Sequence, residues 1–147
     1  MGSGGAPSRL TDDAGGKDAV VDTPPAAQVT VLLVEDEALV REVLQAALKD
    51  GGYLVVAADS GQAAIMRLEE FNGGCRVLVT DISLGRGPSG WDVARRAREL
   101  HPEVAVVYMS AASQHEYAAQ DVSNSIMLGK PFGAAQIVAE LAGLIGA

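Results

Sequence analysis

Four apolar residues, Val31-Leu32-Leu33-Val34, run without a break into three acids, Glu35-Asp36-Glu37. A short uninterrupted apolar run reads as a strand buried on both faces, the environment of a parallel sheet. The acids stand where that strand leaves the core. Carboxylates gathered at one point repel one another, and each resists desolvation, so a fold that collects them needs a cation close by. Glu35 and Asp36 are therefore the first candidates for a divalent-metal site.

The period changes after Val34. Leu39, Val40, Val43, Leu44, Ala47 and Leu48 fall at helical spacing, and Gly51-Gly52 ends the helix they define. Residues 53–58 predict a second strand, and Asp59-Ser60 caps a second helix with Ala63, Ala64, Ile65 and Leu68 on its apolar side. A turn at 72–74 leads to a third strand, 77–80, that ends on Asp81. A glycine-rich loop precedes a helix over 91–100, which His101-Pro102 stops. A fourth strand covers 104–109 and ends on Ser110, a short helix falls at 113–119, and a fifth strand over 125–128 ends at Gly129-Lys130. Ile137, Val138, Leu141, Leu144 and Ile145 mark the last helix. Fivefold strand–helix alternation predicts an α/β fold, doubly wound, with helices on both faces of a parallel sheet.

Bulk properties narrow the function. The chain has 147 residues, 48% of them apolar, which predicts one folded domain. Residues 1–28 are rich in Gly, Ser, Ala, Pro and Asp and lack apolar periodicity, so they read as a flexible tail or linker, with the domain over 29–147. The formal net charge of -8 argues against nucleic acid as a direct ligand. No apolar stretch approaches the ~20 residues of a membrane span, and no secretory signal opens the chain. The single cysteine, Cys75, excludes an internal disulfide or a cysteine zinc cluster. The expected location is the cytoplasm.

In an open parallel sheet the carboxyl ends of all strands lie on one edge, where ligands bind at the point of strand-order reversal. The flavodoxin-like order 2-1-3-4-5 makes the first and third strands neighbours there. Glu35, Asp36 and Asp81 then converge, with the Ser110 hydroxyl and the Lys130 ammonium beside them. Hard oxygen ligands suit Mg2+. Asp81 is the nucleophile candidate, since a carboxylate can attack phosphorus to form an acyl phosphate. Lys130 can hold a phosphoryl oxygen and Ser110 can donate to one. Each residue also has an ordinary reading: turn residue, surface lysine, or acid at the start of the first helix. Their conjunction on one edge favours the phosphoryl site. Cys75, His101, His115, Trp91 and Met127 read as packing or loop residues.

At these positions the chain resembles a response-regulator receiver domain, the CheY-like family of bacterial two-component signalling. The matching marks are Val-Glu-Asp-Glu at 34–37, Thr-Asp-Ile-Ser at 80–83, Pro-Ser-Gly-Trp at 88–91, Met-Ser-Ala at 109–111 and Lys-Pro-Phe at 130–132. The resemblance covers roughly 29–145, and the stretch 122–127 is similar to stand-alone and hybrid-kinase receivers of alphaproteobacteria. It implies a (βα)5 fold, Asp81 as phosphoacceptor, and Mg2+ held by Glu35, Asp36, Asp81 and the main-chain carbonyl of Ser83. It further implies that Ser110 and Lys130 bind the phosphoryl group and couple it to conformational change, and that the amides of Ile82 and Ala111 point at it. Met127 stands where many receivers carry a switch Tyr or Phe, the loop after Asp81 is longer than usual, and the stretch from Ser110 to Lys130 is short.

The implied partner is a histidine kinase or a histidine phosphotransfer protein. With no output domain in this sequence, the signal is expected to pass by protein contact around the fourth helix, fifth strand and last helix. The alternative is a phosphate sink or shuttle cut from a hybrid kinase. A turnover phosphatase fits poorly, because such enzymes place the nucleophile after the first strand with a second Asp two residues on, and Glu35 and Glu37 flank Asp36 here. A nucleotide-binding domain needs glycines after the first strand, where three acids would repel a pyrophosphate. A non-phosphorylated interaction module leaves the acid, hydroxyl and lysine set without a purpose.

Overall fold

The computed structural model describes residues 29–71, 75–110 and 124–145. The expected tail at 1–28, the turn at 72–74 and the short helix at 113–119 lie outside the described residues.

Five strands, β1 (Thr30–Val34), β2 (Leu54–Ala58), β3 (Val77–Asp81), β4 (Ala105–Ser110) and β5 (Ser125–Gly129), form one parallel sheet in the order β2-β1-β3-β4-β5. The register aligns Val34 with Thr80 and Asp81 with Met109. Four described helices cover the sheet: α1 (Ala38–Asp50), α2 (Gly61–Glu70), α3 (Gly90–Leu100) and α4 (Ala134–Leu144).

The alternation of strand side chains divides the core in two. Leu32, Val34 and Leu78 pack with Ala64 and Leu68 of α2 and with Val93, Ala94 and Ala97 of α3. Val31, Leu33, Val77, Val79 and Val107 pack with Leu44 and Leu48 of α1 and with Ile137 and Leu141 of α4. Val31 to Val34 are all buried, because consecutive side chains enter opposite halves of the core.

Two features of α1 were left open by its sequence. Its apolar positions do not form one inner face: Leu44 and Leu48 are buried, whereas Leu39 is 78% exposed and Val43 59% exposed. Nor do the acids cap the helix through their own termini. Glu37 is the N-cap residue and its side chain makes no capping hydrogen bond. The expected cap of α2 is present, with the Ser60 hydroxyl accepting from the Ala63 N–H at 3.1 Å.

Candidate functional site

β1 and β3 are neighbours, so their carboxyl ends bring Glu35 and Asp81 together. One carboxylate oxygen from each of Glu35, Asp36 and Asp81 lies within 4.8 Å of the others. Glu35 and Asp81 are buried, and Asp36 is exposed. Lys130, directly after β5, reaches across the edge of the sheet. Its Nζ lies 2.7 Å from Asp81 Oδ1 and 3.4 Å from Glu35 Oε1. The other Glu35 oxygen, Oε2, accepts from the Glu37 N–H at 3.1 Å.

The electrostatics follow from this crowding. Asp81 is pushed up to about 7, first by burial and then by its hydrogen bond and repulsion with Glu35, which outweigh the attraction of Lys130. Burial also pushes Glu35 upward, but its hydrogen bonds with Asp81 and the Glu37 N–H, together with the charge of Lys130, bring it below the usual carboxylate value. Burial opposes the charge on Lys130, and the two carboxylates more than restore it. Two buried acids face one ammonium, so their charge is only partly balanced. Hard oxygen donors that crowd in this way fit a hard divalent ion, and among the described residues Glu35, Asp36 and Asp81 are the side chains able to hold it.

The remaining expected residues fall in different places. Ser110 ends β4, half-buried, and its carbonyl accepts from the Lys130 N–H at 2.7 Å, which ties the lysine to the strand bearing the hydroxyl. Ser83 is exposed in the loop after Asp81. Ala111 lies outside the described residues. The Ile82 N–H, expected to point at the phosphoryl group, donates to the Met109 carbonyl at 3.0 Å and extends the β3–β4 ladder. Trp91 and Met127 pack as expected. Trp91 is buried against Tyr108, with ring centroids 4.5 Å apart, and Met127 is paired with Tyr108 across β4 and β5.

Sequence reasoning passed over two residues that shape this edge. Gly90, at the start of α3, lies against the Asp81 main chain: a methyl group there would collide with the Asp81 carbonyl oxygen and sit 2.8 Å from Ile82 Cα. The Gly90 N–H donates to the Ile82 carbonyl at 2.8 Å, so the helix start and the end of β3 are held in direct contact. The capping box formed by Ser89 and Asp92 sets where that helix begins. The other residue is Arg41, whose Nη1 donates to the Glu35 carbonyl at 2.8 Å. Its position in the first turn of α1 was the available signal, since helical side chains lean back toward the N-terminus.

Beside Lys130 a cavity of about 380 Å3 opens between α1 and the segment leading into α4. Leu39, Val40, Val43 and Leu44 line one side, and Pro131, Phe132 and Ala134 the other. The wide exposure of Leu39 and Val43 thus belongs to an apolar groove that adjoins the acidic edge.

A five-stranded 2-1-3-4-5 sheet with three carboxylates and a lysine at one edge defines the phosphoacceptor domain of two-component signalling. Residues 31–142 match the response regulator receiver domain family, and the chain belongs to it. It is 32% identical over 119 residues to Sensor kinase CckA of Brucella abortus, a match covering 78% of this chain and 12% of that protein. It is also 32% identical over 118 residues to Response regulator receiver protein CpdR of the same organism, covering 76% of this chain and 92% of CpdR. A response regulator receiver protein from Sinorhizobium medicae has a TM-score of 0.77 at 40% identity, over 82% of this chain and 96% of that one. The receiver domain of sensor histidine kinase PA1611 from Pseudomonas aeruginosa, solved with a magnesium ion coordinated in its active site cleft, has a TM-score of 0.70 at 26% identity, over 82% and 99% of the two chains. The Brucella and Sinorhizobium relatives agree with the alphaproteobacterial resemblance. Among the described residues no helix is long and apolar enough to cross a membrane.

Proposed function

We propose that this chain takes a phosphoryl group from the phosphohistidine of a kinase or phosphotransfer protein onto Asp81, in the cytoplasm, and changes its protein contacts as a result. The supporting observation is the Asp81 carboxylate itself. It is buried at a strand end, 2.7 Å from the Lys130 ammonium and within 4.8 Å of two further acids. In the transfer, an Asp81 oxygen attacks phosphorus and the P–N bond to imidazole breaks. The leaving nitrogen keeps the bonding pair and takes a proton from water. Lys130 holds a phosphoryl oxygen, and the Ser110 hydroxyl donates to another. Mg2+ is the ion proposed for Glu35, Asp36, Asp81 and the Ser83 carbonyl; when bound, it cancels charge on the nucleophile and on the phosphoryl oxygens. The magnesium in the PA1611 receiver supports that choice. Water later cleaves the acyl phosphate, so the chain acts as a timed switch and not as a turnover enzyme.

The phosphodonor needs a seat that brings its imidazole to Asp81. The apolar groove over Leu39, Val43, Pro131 and Phe132 shares Lys130 with the acidic edge, and we assign it to a helix of the histidine-bearing donor. The match to part of CckA favours a second reading of the output, in which the phosphoryl group passes on to a phosphotransfer protein and the receiver serves as a shuttle. Intact mass after incubation with acetyl phosphate and Mg2+ tests the core of the proposal. One phosphoryl group is expected on the wild type and none on Asp81→Asn; labelling that persists in the variant removes Asp81 from the role.

A further inference from the structure

We infer that Arg41 is a positioning residue for the divalent-cation site, acting through the main chain of Glu35 and not through its charge. This rests on the cation site proposed above. Glu35 is the first residue past β1 and is held at every polar atom. Its N–H donates to the Ala58 carbonyl at 3.1 Å. Its carboxylate meets the Glu37 N–H and the Lys130 ammonium. Its carbonyl accepts from Arg41 Nη1 at 2.8 Å, a bond supplied by a side chain of α1.

That carbonyl lies in the peptide plane that leads into Asp36, and the plane turns as a unit. Asp36 is exposed, so no packing holds it, and the peptide plane from Glu35 sets where its Cα stands. Fixing the Glu35 carbonyl therefore fixes the backbone from which two of the three acidic ligands project. The position of Arg41 supports the same view. The Arg41 N–H donates to the Glu37 carbonyl at 2.9 Å, in the opening turn of α1, and that turn contains no acidic side chain. A cation near a helix N-terminus opposes the helix dipole, and a cation near a metal site opposes the metal. The neighbouring acids attract a guanidinium while the helix dipole and a bound metal oppose it, so charge does not by itself account for Arg41, whereas its directed N–H suits a carbonyl that must not rotate.

The two effects have opposite signs, which makes the inference testable by calorimetric titration of Mg2+ into the full chain at constant ionic strength, without any phosphodonor. If Arg41 acts by charge, Arg41→Ala tightens binding and Arg41→Lys matches the wild type. If it positions the site, Arg41→Ala weakens binding by about tenfold, the usual range for an outer residue that orients a ligand. Arg41→Lys, which keeps the charge but loses the planar guanidinium that places Nη1 on the carbonyl, then recovers only a minor part of that loss. Circular dichroism and melting without Mg2+ check that each variant is folded. Should Arg41→Ala not fold, Arg41→Lys decides alone: weakened binding supports the inference and wild-type affinity overturns it. Unchanged or tighter binding by a folded Arg41→Ala likewise overturns it. The cation site itself has a separate control, because failure of the wild type to bind Mg2+, or equal binding by Glu35→Gln, removes the site and not only the role of Arg41.

Discussion

On the proposed function the Asp81 carboxylate attacks phosphorus as the anion, and burial and the nearness of Glu35 push its carboxyl up to about 7. The shift is upward, so the reactive anion is depleted as pH falls through 7. With limiting Mg2+, the initial rate of labelling by acetyl phosphate is expected to drop about tenfold for each pH unit below that point. A bound divalent cation stabilises the anion and moves the drop to lower pH. Glu35→Gln, which removes the repelling charge, is expected to move it the same way while weakening Mg2+ binding. Rates measured by quenched intact-mass analysis across pH, at low and saturating Mg2+, check both. A profile that stays in place at saturating Mg2+ would separate the cation from Asp81.

The start of α3 is where backbone contact rather than side-chain chemistry shapes the site. Gly90 leaves no room for a methyl group beside the Asp81 carbonyl, and the facing atoms are main chain, which cannot swing aside. Gly90→Ala is expected to cost about 1–3 kcal/mol, as overpacking does, and to displace Asp81 with it. Urea melts read the first effect, and Mg2+ titration of the folded variant reads the second. A variant that loses stability but binds Mg2+ like the wild type would confine Gly90 to packing. The contrast with the strands explains what was legible in the sequence. Each strand announces itself, because burial on both faces demands an unbroken apolar run, and each ends on the polar residue that the edge then collects. The parallel sheet followed from that pattern, whereas the meeting of Glu35, Asp81 and Lys130 rested on assuming the flavodoxin-like strand order, which the sheet has. Three features did not follow from the pattern. The close approach at Gly90 depends on how α3 docks, and a glycine in a glycine-rich loop carries no mark of it. Nor does sequence show that the β3–β4 ladder continues one residue past Asp81, through the Ile82 N–H. Leu39 and Val43 share a helical period with Leu44 and Leu48, so periodicity alone could not say that they line a groove instead of the core.

On the proposed function that groove would join the chemistry to its partner, because an apolar groove and an acidic edge lie side by side around Lys130. A small phosphodonor needs only the edge, whereas a protein donor needs both. Leu39→Asp separates the two requirements. Leu39 is 78% exposed, so the substitution is expected to change stability by no more than about 0.5 kcal/mol, as surface changes do. Labelling by acetyl phosphate is expected to proceed at the wild-type rate. Transfer from a phosphohistidine-bearing phosphotransfer protein is expected to lose at least about tenfold in kcat/KM, since a carboxylate placed in an apolar contact must be desolvated without a partner. Val43→Asp, one helical turn further along the same groove, is expected to act in the same direction. Equal losses with both donors would mean that the substitutions disturb Asp81 itself. Equal retention with both would place the donor on some other surface, and the groove would then have to be explained without it.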